Sequence, residues 1–343
     1  MKKSHNIWLR AWYGKARWIY WLLPLSWLFG LISSVRKFLV VRFFQKKIPV
    51  PVIIVGNISI GGTGKTPLLI ELVKYLQSRG YKPGVVSRGY GGKAAQYPYL
   101  LNHQTLASES GDEPLLIYRA TRCPVSVAPD RVAAAETLLN EGCTHILSDD
   151  GLQHYKLGRA MEIAVVDGQR LFGNEQLLPV GPLRESRSRL KSVDLIVINN
   201  PSKKGSLPGL HHVHPMKIQP LGWMQISSRK ETPLNDTFFR SPVHAVAGIG
   251  NPERFFKTLD DLSLNYYAHH FPDHYKFSAK DFEIYHQDTV VMTEKDAVKC
   301  SEFAKTEWYS LLVKAQLTDH FWSDFQHKLD AIGKLKTKKI KKV

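Results

Sequence analysis

The sequence predicts a doubly wound, mostly parallel α/β sheet, followed by a second, smaller α/β domain and preceded by a membrane-associated helix. Three observations carry this. Short β-branched strands alternate with amphipathic helices from residue 50 to about 200, the alternation resumes after 242, and residues 1–47 have a different composition. A chain of 343 residues has ample length for two domains, each with its own core.

In chain order, the first segment is basic and apolar. Residues 1–47 hold ten Lys/Arg and no acid, and residues 334–343 add six lysines. The chain has 47 Lys+Arg against 30 Asp+Glu, a formal net charge of +17. Nearly all of that excess sits at the two ends, leaving the body from 48 to 333 close to neutral. A groove for nucleic acid needs its basic residues on the folded body, so an anionic membrane surface is the expected partner and nucleic acid is not. Residues 18–35 are uncharged; as a helix they reach about 27 Å, just short of a hydrocarbon core of about 30 Å. Pro24 is expected to weaken that helix in its middle. Five of the eight tryptophans fall within the first 27 residues, and Trp favours the headgroup zone. Basic residues flank the stretch equally, which suits a segment lying in one leaflet slightly better than a spanning helix. A cleaved signal peptide is not indicated; a buried core helix is the alternative. Cys123, Cys143 and Cys300 show no paired or C-x-x-C spacing, which points to a reducing, cytoplasmic compartment.

The body, 48–200, reads as a nucleotide-binding core. Strands are expected at 52–56, 84–87, 125–128, 145–148, 162–167 and 194–198. Helices are expected at 66–79, 113–121 and 130–141, the last opened by Asp130 as a cap. Residues 201–242, rich in Pro, Gly, Lys and Ser, read as a linker and β-ribbon with alternating segments at 214–218 and 223–227. A smaller α/β domain then covers 243–333, with strands at 243–248, 266–270, 289–293 and 308–313 and helices at 252–262, 279–286 and 319–332. A lysine-rich tail, 334–343, ends the chain.

The strongest local signal lies between the first strand and the first helix: Ser59, Ile60, Gly61, Gly62, Thr63, Gly64, Lys65, Thr66. Glycines let successive backbone N–H groups close around phosphate oxygens, a lysine reaches the β- and γ-phosphates, and the adjacent hydroxyl serves Mg²⁺. The usual pattern has Gly where this chain has Ser59. Strand, loop and helix together make the fold P-loop NTPase-like, with ATP and Mg²⁺ as expected ligands. The strand at 145–148 runs into Asp149 and Asp150, at the edge where an acid holds the metal; a solvated strand-end turn is the plainer alternative.

An ordered set of motifs extends over roughly residues 50–300: VGNISIGGTGKTP (55–67), SRGYG (87–91), GDEP (111–114), Asp130-Arg131, DDGLQ (149–153), FGNEQLLPVGPLRE (172–185), GIGNPERF (248–255), FPDHY (271–275) and TEKD (293–296). In these the chain resembles the tetraacyldisaccharide 4′-kinases of lipid A biosynthesis. The resemblance implies transfer of the ATP γ-phosphoryl to the 4′-hydroxyl of a tetraacyl glucosamine disaccharide 1-phosphate, at the cytoplasmic face of the bacterial inner membrane. It implies a lipid A disaccharide 1-phosphate precursor as partner; no obligate protein partner is evident.

Carried onto matching positions, the resemblance makes Asp112 the base for the sugar hydroxyl, with His274 paired to it. Lys65 and Arg131 complete the catalytic set. Glu113, Asp149 and Asp150 would hold Mg²⁺ with Thr66, and Arg184 is a further candidate for phosphate. The residues alone leave alternatives open: Asp112 also fits a helix cap, His274 a turn, and TEKD either a nucleotide contact or a domain interface. His211, His212 and His214 crowd the ribbon without a nearby Cys or Glu, so a metal role is not favoured there. A partitioning P-loop ATPase would place a lysine at Ile60, and a GTPase needs an Asn where TEKD begins with Thr. The competing class is a membrane-docked P-loop ATPase or nucleotide-binding scaffold without lipid kinase activity.

Overall fold

The computed structural model describes residues 2–14, 16–201, 207, 209–234, 239, 242–285 and 288–340. Parts of the expected linker, 202–206, 208, 235–238 and 240–241, lie outside them, as do 341–343 of the tail. The strands are β1 (Val52–Gly56), β2 (Pro83–Ser87), β3 (Tyr99–Leu100), β4 (Val125–Val127), β5 (His145–Asp149), β6 (Met161–Asp167), β7 (Leu195–Asn199), β8 (Val213–Gln225), β9 (Glu231–Pro233), β10 (Val243–Ala247), β11 (Tyr266–His270), β12 (Val290–Thr293) and β13 (Trp308–Leu317). The helices are α1 (Lys2–Tyr13), α2 (Leu23–Leu39), α3 (Lys65–Ser78), α4 (Ala107–Ser110), α5 (Asp112–Thr121), α6 (Arg131–Asn140), α7 (Pro252–Asp261), α8 (Glu294–Cys300) and α9 (Asp319–Ile340).

All the described strands join one sheet, in the order β11-β10-β12-β13-β8-β7-β6-β1-β5-β2-β4-β3, with β9 paired to β8. Most neighbours are parallel; β3 with β4, β8 with β13 and β8 with β9 are antiparallel. The expected ribbon segments at 214–218 and 223–227 are therefore parts of one long strand. The first residues of β8 pair parallel with β7, and the remainder runs antiparallel to β13, so β8 ties the larger half of the sheet to the smaller. A register shift at Leu312/Val313 lies opposite the 220–222 stretch, where Pro220 has no N–H to donate.

The sequence alternation becomes two cores, one on each sheet face. Ile53 and Val55 pack with Leu68, Leu72, Ile117 and the α9 residues Phe321 and Phe325 on one side. Val52 and Ile54 pack with Val132, Leu138, Phe172 and Leu183 on the other. Every residue of β1 is buried, as expected of a parallel strand covered on both faces. Each such side chain contributes about 1.5–3 kcal/mol on burial. The smaller half repeats the plan with Ala245, Val291, Phe255 and Phe256 on one face and Val246, Met292 and Phe282 on the other.

The apolar N-terminal segment is helical from Trp18 to Phe44, and only 11% of its most apolar 18-residue window is buried. It is long and apolar enough to cross a membrane, and it is not a core helix. Pro24 does not interrupt it: it sits in the first turn of α2, where its missing N–H has no helical partner to lose. One side is fastened to the body by Ser26 Oγ donating to Leu177 O (2.9 Å), and the preceding α1 is fastened nearby by Trp12 Nε1 donating to Pro179 O (3.0 Å). Trp21 and Trp27 remain 87% and 69% exposed.

Candidate active site

A cleft of about 2130 Å³ opens along the carboxyl ends of the parallel strands and continues to the inner side of α2. Open α/β sheets bind ligands at that edge. The register places Val55 beside Asp149, so the loop leaving β1 emerges next to the acids leaving β5.

The loop's shape is set by its neighbours. Gly64 has φ +89°, and a Cβ there would fall 2.3 Å from Asn199 Nδ2, so only glycine fits. Asn199 Nδ2 donates to Thr63 O at 3.0 Å, and Asn57 Nδ2 donates to Gly61 O at 3.3 Å. Two loop carbonyls are thereby tied to side chains. Ser59 forms a backbone bridge with Leu183, and Ile60 N–H donates to Pro182 O at 2.8 Å. The N–H of Ile60 is thus spent on the 172–185 segment, and the phosphate cradle is left to Gly61 through Thr66. Pro67 lies in the first turn of α3, where it removes no helical bond.

Charge converges here. Asp150 lies between Lys65 Nζ (3.4 Å) and Arg184 Nη1, which donates to Asp150 Oδ2 at 2.9 Å. Burial opposes its ionisation, but the Lys65 and Arg184 cations outweigh it and hold the carboxyl well below the usual range. Asp149 is the opposite case. Burial, then the Glu113 and Asp150 carboxylates, push it up to about 7. Its Oδ2 accepts from Ser87 Oγ at 3.2 Å, while its buried Oδ1 has no hydrogen-bond partner. A buried, orphaned carboxylate oxygen among like charges fits a hard divalent cation such as Mg²⁺. Arg131 is 5% exposed beneath this pair, donating from Nη1 to Ser148 Oγ (3.1 Å) and Asp149 O (2.8 Å). It braces the strand end that carries the acids.

The opposite wall brings Asp112 and His274 together from 162 residues apart, with His274 Nδ1 3.1 Å from Asp112 Oδ2. Asp112 Oδ1 accepts from the Glu113 N–H at 2.9 Å, so the same carboxylate serves both the helix start and the histidine. Gly111, at φ +86°, allows the sharp entry into α5. The Asp112 contact raises the His274 pKa. At Asp112 burial pulls upward, but His274 and Lys295 lower the carboxyl overall. Both shifts favour the imidazolium–carboxylate form of the pair. The Tyr90 ring packs edge-on against His274 with centroids 4.8 Å apart.

Lys295 is the residue that sequence reasoning missed. Its Nζ lies 2.9 Å from Glu113 Oε1, 3.4 Å from Asp273 Oδ1, 3.4 Å from His274 Nε2 and 3.9 Å from Asp112 Oδ2. The signal was TEKD itself. Thr293 caps α8, Glu294 accepts from Val313 N–H (3.0 Å), and Asp296 accepts from Gly248 N–H (2.9 Å). Three of the four residues tie the smaller half together, and the fourth, Lys295, reaches across the cleft to the acids of α5. Asn57 lay inside a quoted motif, whereas Asn199 had no local signal.

The sequence profile of the family described as LpxK, tetraacyldisaccharide-1-P 4′-kinase, matches residues 18–330. Relatives named tetraacyldisaccharide 4′-kinase include one from Methylobacillus flagellatus, 46% identical over 92% of this chain and 94% of that protein. Another, from Hahella chejuensis, is 46% identical over 94% of this chain and 96% of that protein. The crystal structure of the "apo" form of LpxK from Aquifex aeolicus in complex with ATP superimposes with a TM-score of 0.75 at 27% identity, covering 92% of this chain and 99% of that one. The chain belongs to the tetraacyldisaccharide-1-P 4′-kinase family.

Proposed function

We propose that this chain is an ATP-dependent kinase that phosphorylates the 4′-hydroxyl of a tetraacyl disaccharide 1-phosphate in lipid A biosynthesis, using the two walls of the cleft for different tasks. One observation carries the division of labour: His274, paired with the buried Asp112 behind it, lines the same cleft as Lys65, Asp149 and Asp150. Phosphoryl transfer is mostly positioning and neutralisation of charge, plus a group to receive the hydroxyl proton. Lys65 and the loop amides hold the nucleotide phosphates. Asp149, Asp150, Glu113 and Thr66 are the residues that would hold Mg²⁺, which supplies charge neutralisation at the phosphates. Arg184, which donates to Asp150 at the same edge of the cleft, offers phosphate oxygens a planar fork. Asp112 takes the proton of the acceptor hydroxyl, and His274 keeps the carboxylate oriented and ionised until that moment.

The acceptor's acyl chains suit the far end of the cleft. Trp12, Trp27 and Gly30 line it together with the phosphate loop, so an apolar floor leads from α2 to the reacting edge. The exposed side of the 18–44 helical segment, with Trp21, Leu31 and Phe38 outermost, suits an anionic membrane at the cytoplasmic face, and the fastening of Ser26 to Leu177 suits a helix lying along that surface. Aspartate substitutions at Trp21 and Trp27 are expected to cut co-sedimentation with anionic vesicles; unchanged partitioning would exclude α2 as the docking surface.

The decisive assay incubates detergent-solubilised protein with ATP, Mg²⁺ and the tetraacyl disaccharide 1-phosphate, and looks for the bisphosphorylated lipid. ATP binding without that product would favour a membrane-docked ATPase or nucleotide-binding scaffold instead.

A further inference from the structure

Outside the catalytic cleft, β8 and α9 bring together a second set of chemically capable side chains. His212 and His214, two residues apart at the start of β8, meet His320 and Asp324, four residues apart on one side of α9. Asp324 Oδ2 lies 3.1 Å from His212 Nδ1, 3.3 Å from His214 Nε2 and 3.9 Å from His320 Nε2. Ligands held about 2.0–2.1 Å from a tetrahedral zinc sit about 3.3 Å from one another; the carboxylate–imidazole distances bracket that value, and the ligand atoms of His214, His320 and Asp324 all lie within 4.8 Å of one another.

Hydrogen bonding accounts for only part of the arrangement, since His212 Nδ1 is bonded to Asp324 Oδ2 but His214 is not. His214 is 1% exposed, and neither of its ring nitrogens makes a hydrogen bond, although Nε2 is close to the carboxylate. Two ligands of one metal point at the metal rather than at each other, which leaves them near but misaligned. Imidazole-rich sets with one carboxylate favour zinc over Mg²⁺, which wants oxygen donors and six-fold geometry.

We propose that His214, His320 and Asp324, with His212 as a fourth ligand, form a structural zinc site that clips the start of α9 to β8. The site acts on the fold and not on the phosphoryl transfer: none of the four residues lines the catalytic cleft. Its mechanical effect falls on α9, whose Phe321 and Phe325 fill the main core and whose Trp322 stacks on Tyr75 of α3 with ring centroids 4.5 Å apart. Fixing the first turn of α9 thus fixes the helix that backs the phosphate-loop helix.

The test titrates chelator-stripped, full-length protein in detergent with Co²⁺ under saturating Mg²⁺, which occupies oxygen sites. One equivalent is expected to give the intense visible bands of four-coordinate Co²⁺, displaced by Zn²⁺. His320→Ala, at a side chain 76% exposed and therefore tolerant of truncation, is expected to weaken Co²⁺ binding at least tenfold. Asp324→Asn should do the same. Zn²⁺ should raise the unfolding temperature of the wild type and leave that of His320→Ala unmoved. Absence of a four-coordinate spectrum in the wild type, or equal Co²⁺ affinity in wild type and both variants, overturns the site.

Discussion

The two walls of the cleft are built by different physics. On the nucleotide side, Lys65, Asp149 and Asp150 stand on loops leaving adjacent parallel strands, and their positions follow from the β1–β5 register and from backbone bonds such as Ile60 N–H to Pro182 O. On the acceptor side, Asp112, His274 and Lys295 come from α5, the segment after β11 and α8, and they are held by side-chain ion pairs across the two halves of the sheet. The first wall is as rigid as the core beneath it. The second is as strong as its electrostatics, and so responds to charge substitution and pH. Paired substitutions can break this contrast. Lys65→Ala and Asp112→Asn should both lower kcat by about 10²–10⁴-fold, but only Lys65→Ala should weaken ATP binding, read by equilibrium titration. Equal loss of ATP affinity in Asp112→Asn would make that residue a cap for α5 and dissolve the distinction.

A smaller effect is expected at Lys295. Its ammonium touches Glu113, Asp273 and Asp112 together, so it positions the acids rather than meeting the phosphates. Lys295→Met should reduce kcat roughly 10–100-fold with ATP affinity nearly unchanged and move the acidic limb of the pH–rate profile upward, because Asp112 loses a cation that lowers its pKa. Lys295→Arg should restore part of the rate. A profile that stays in place while the rate falls would mean that Lys295 acts through folding alone.

The same contrast explains what could be read from the sequence. The nucleotide wall was legible because its signal is a contiguous run, 59–66, flanked by a β-branched strand and an apolar helix. The acceptor wall was legible only where the family motifs named Asp112 and His274; their meeting across 162 residues has no local spacing to betray it. Lys295 was hidden by its neighbours, since TEKD reads equally well as a helix start, which it indeed is, with Thr293 as the cap. The strand β8 was read as two pieces because prolines and a glycine interrupt its alternation at 215, 220 and 222, while the tertiary pairing carries the backbone through them. The lone reading of His214 as a crowded ribbon histidine lacked the carboxylate that α9 supplies 110 residues later.

Within the rigid wall, function is opposed to stability at Asp149. Its folded-state pKa of about 7 lies above the ordinary carboxylate value, so the folded state binds more protons than the unfolded one between about pH 4 and 7. Stability therefore falls as pH rises through that window, and the cost is fully present above it. Asp149→Asn should melt roughly 3 °C or more above the wild type at pH 8 without Mg²⁺, while losing turnover. Saturating Mg²⁺ should narrow the gap by stabilising only the wild type. A variant that melts lower at pH 8 without the metal would show that the carboxylate is compensated inside the fold.

The smallest expected effect is the pH dependence of the electrostatic wall itself. The Asp112 contact raises the His274 pKa above the ordinary value of about 6.5, and at Asp112, against the pull of burial, His274 and Lys295 bring the carboxyl below about 3.9. The histidine's contribution is present in full below about pH 6.5 and is lost as pH rises through its elevated folded value. The carboxylate's contribution is present above about pH 4 and is lost below it. Both operate together only between those limits. His274→Gln should therefore lower the unfolding temperature most between about pH 4 and 6.5, by roughly 1–3 °C because the imidazole is a quarter exposed, and by less toward pH 9. The left-handed backbone at His274, φ +57°, adds strain that either side chain bears, so it offsets the two curves without changing their pH dependence. A difference that stays constant from pH 5 to 9 would show that His274 holds the wall by packing against Tyr90, and the second wall would then be no more electrostatic than the first.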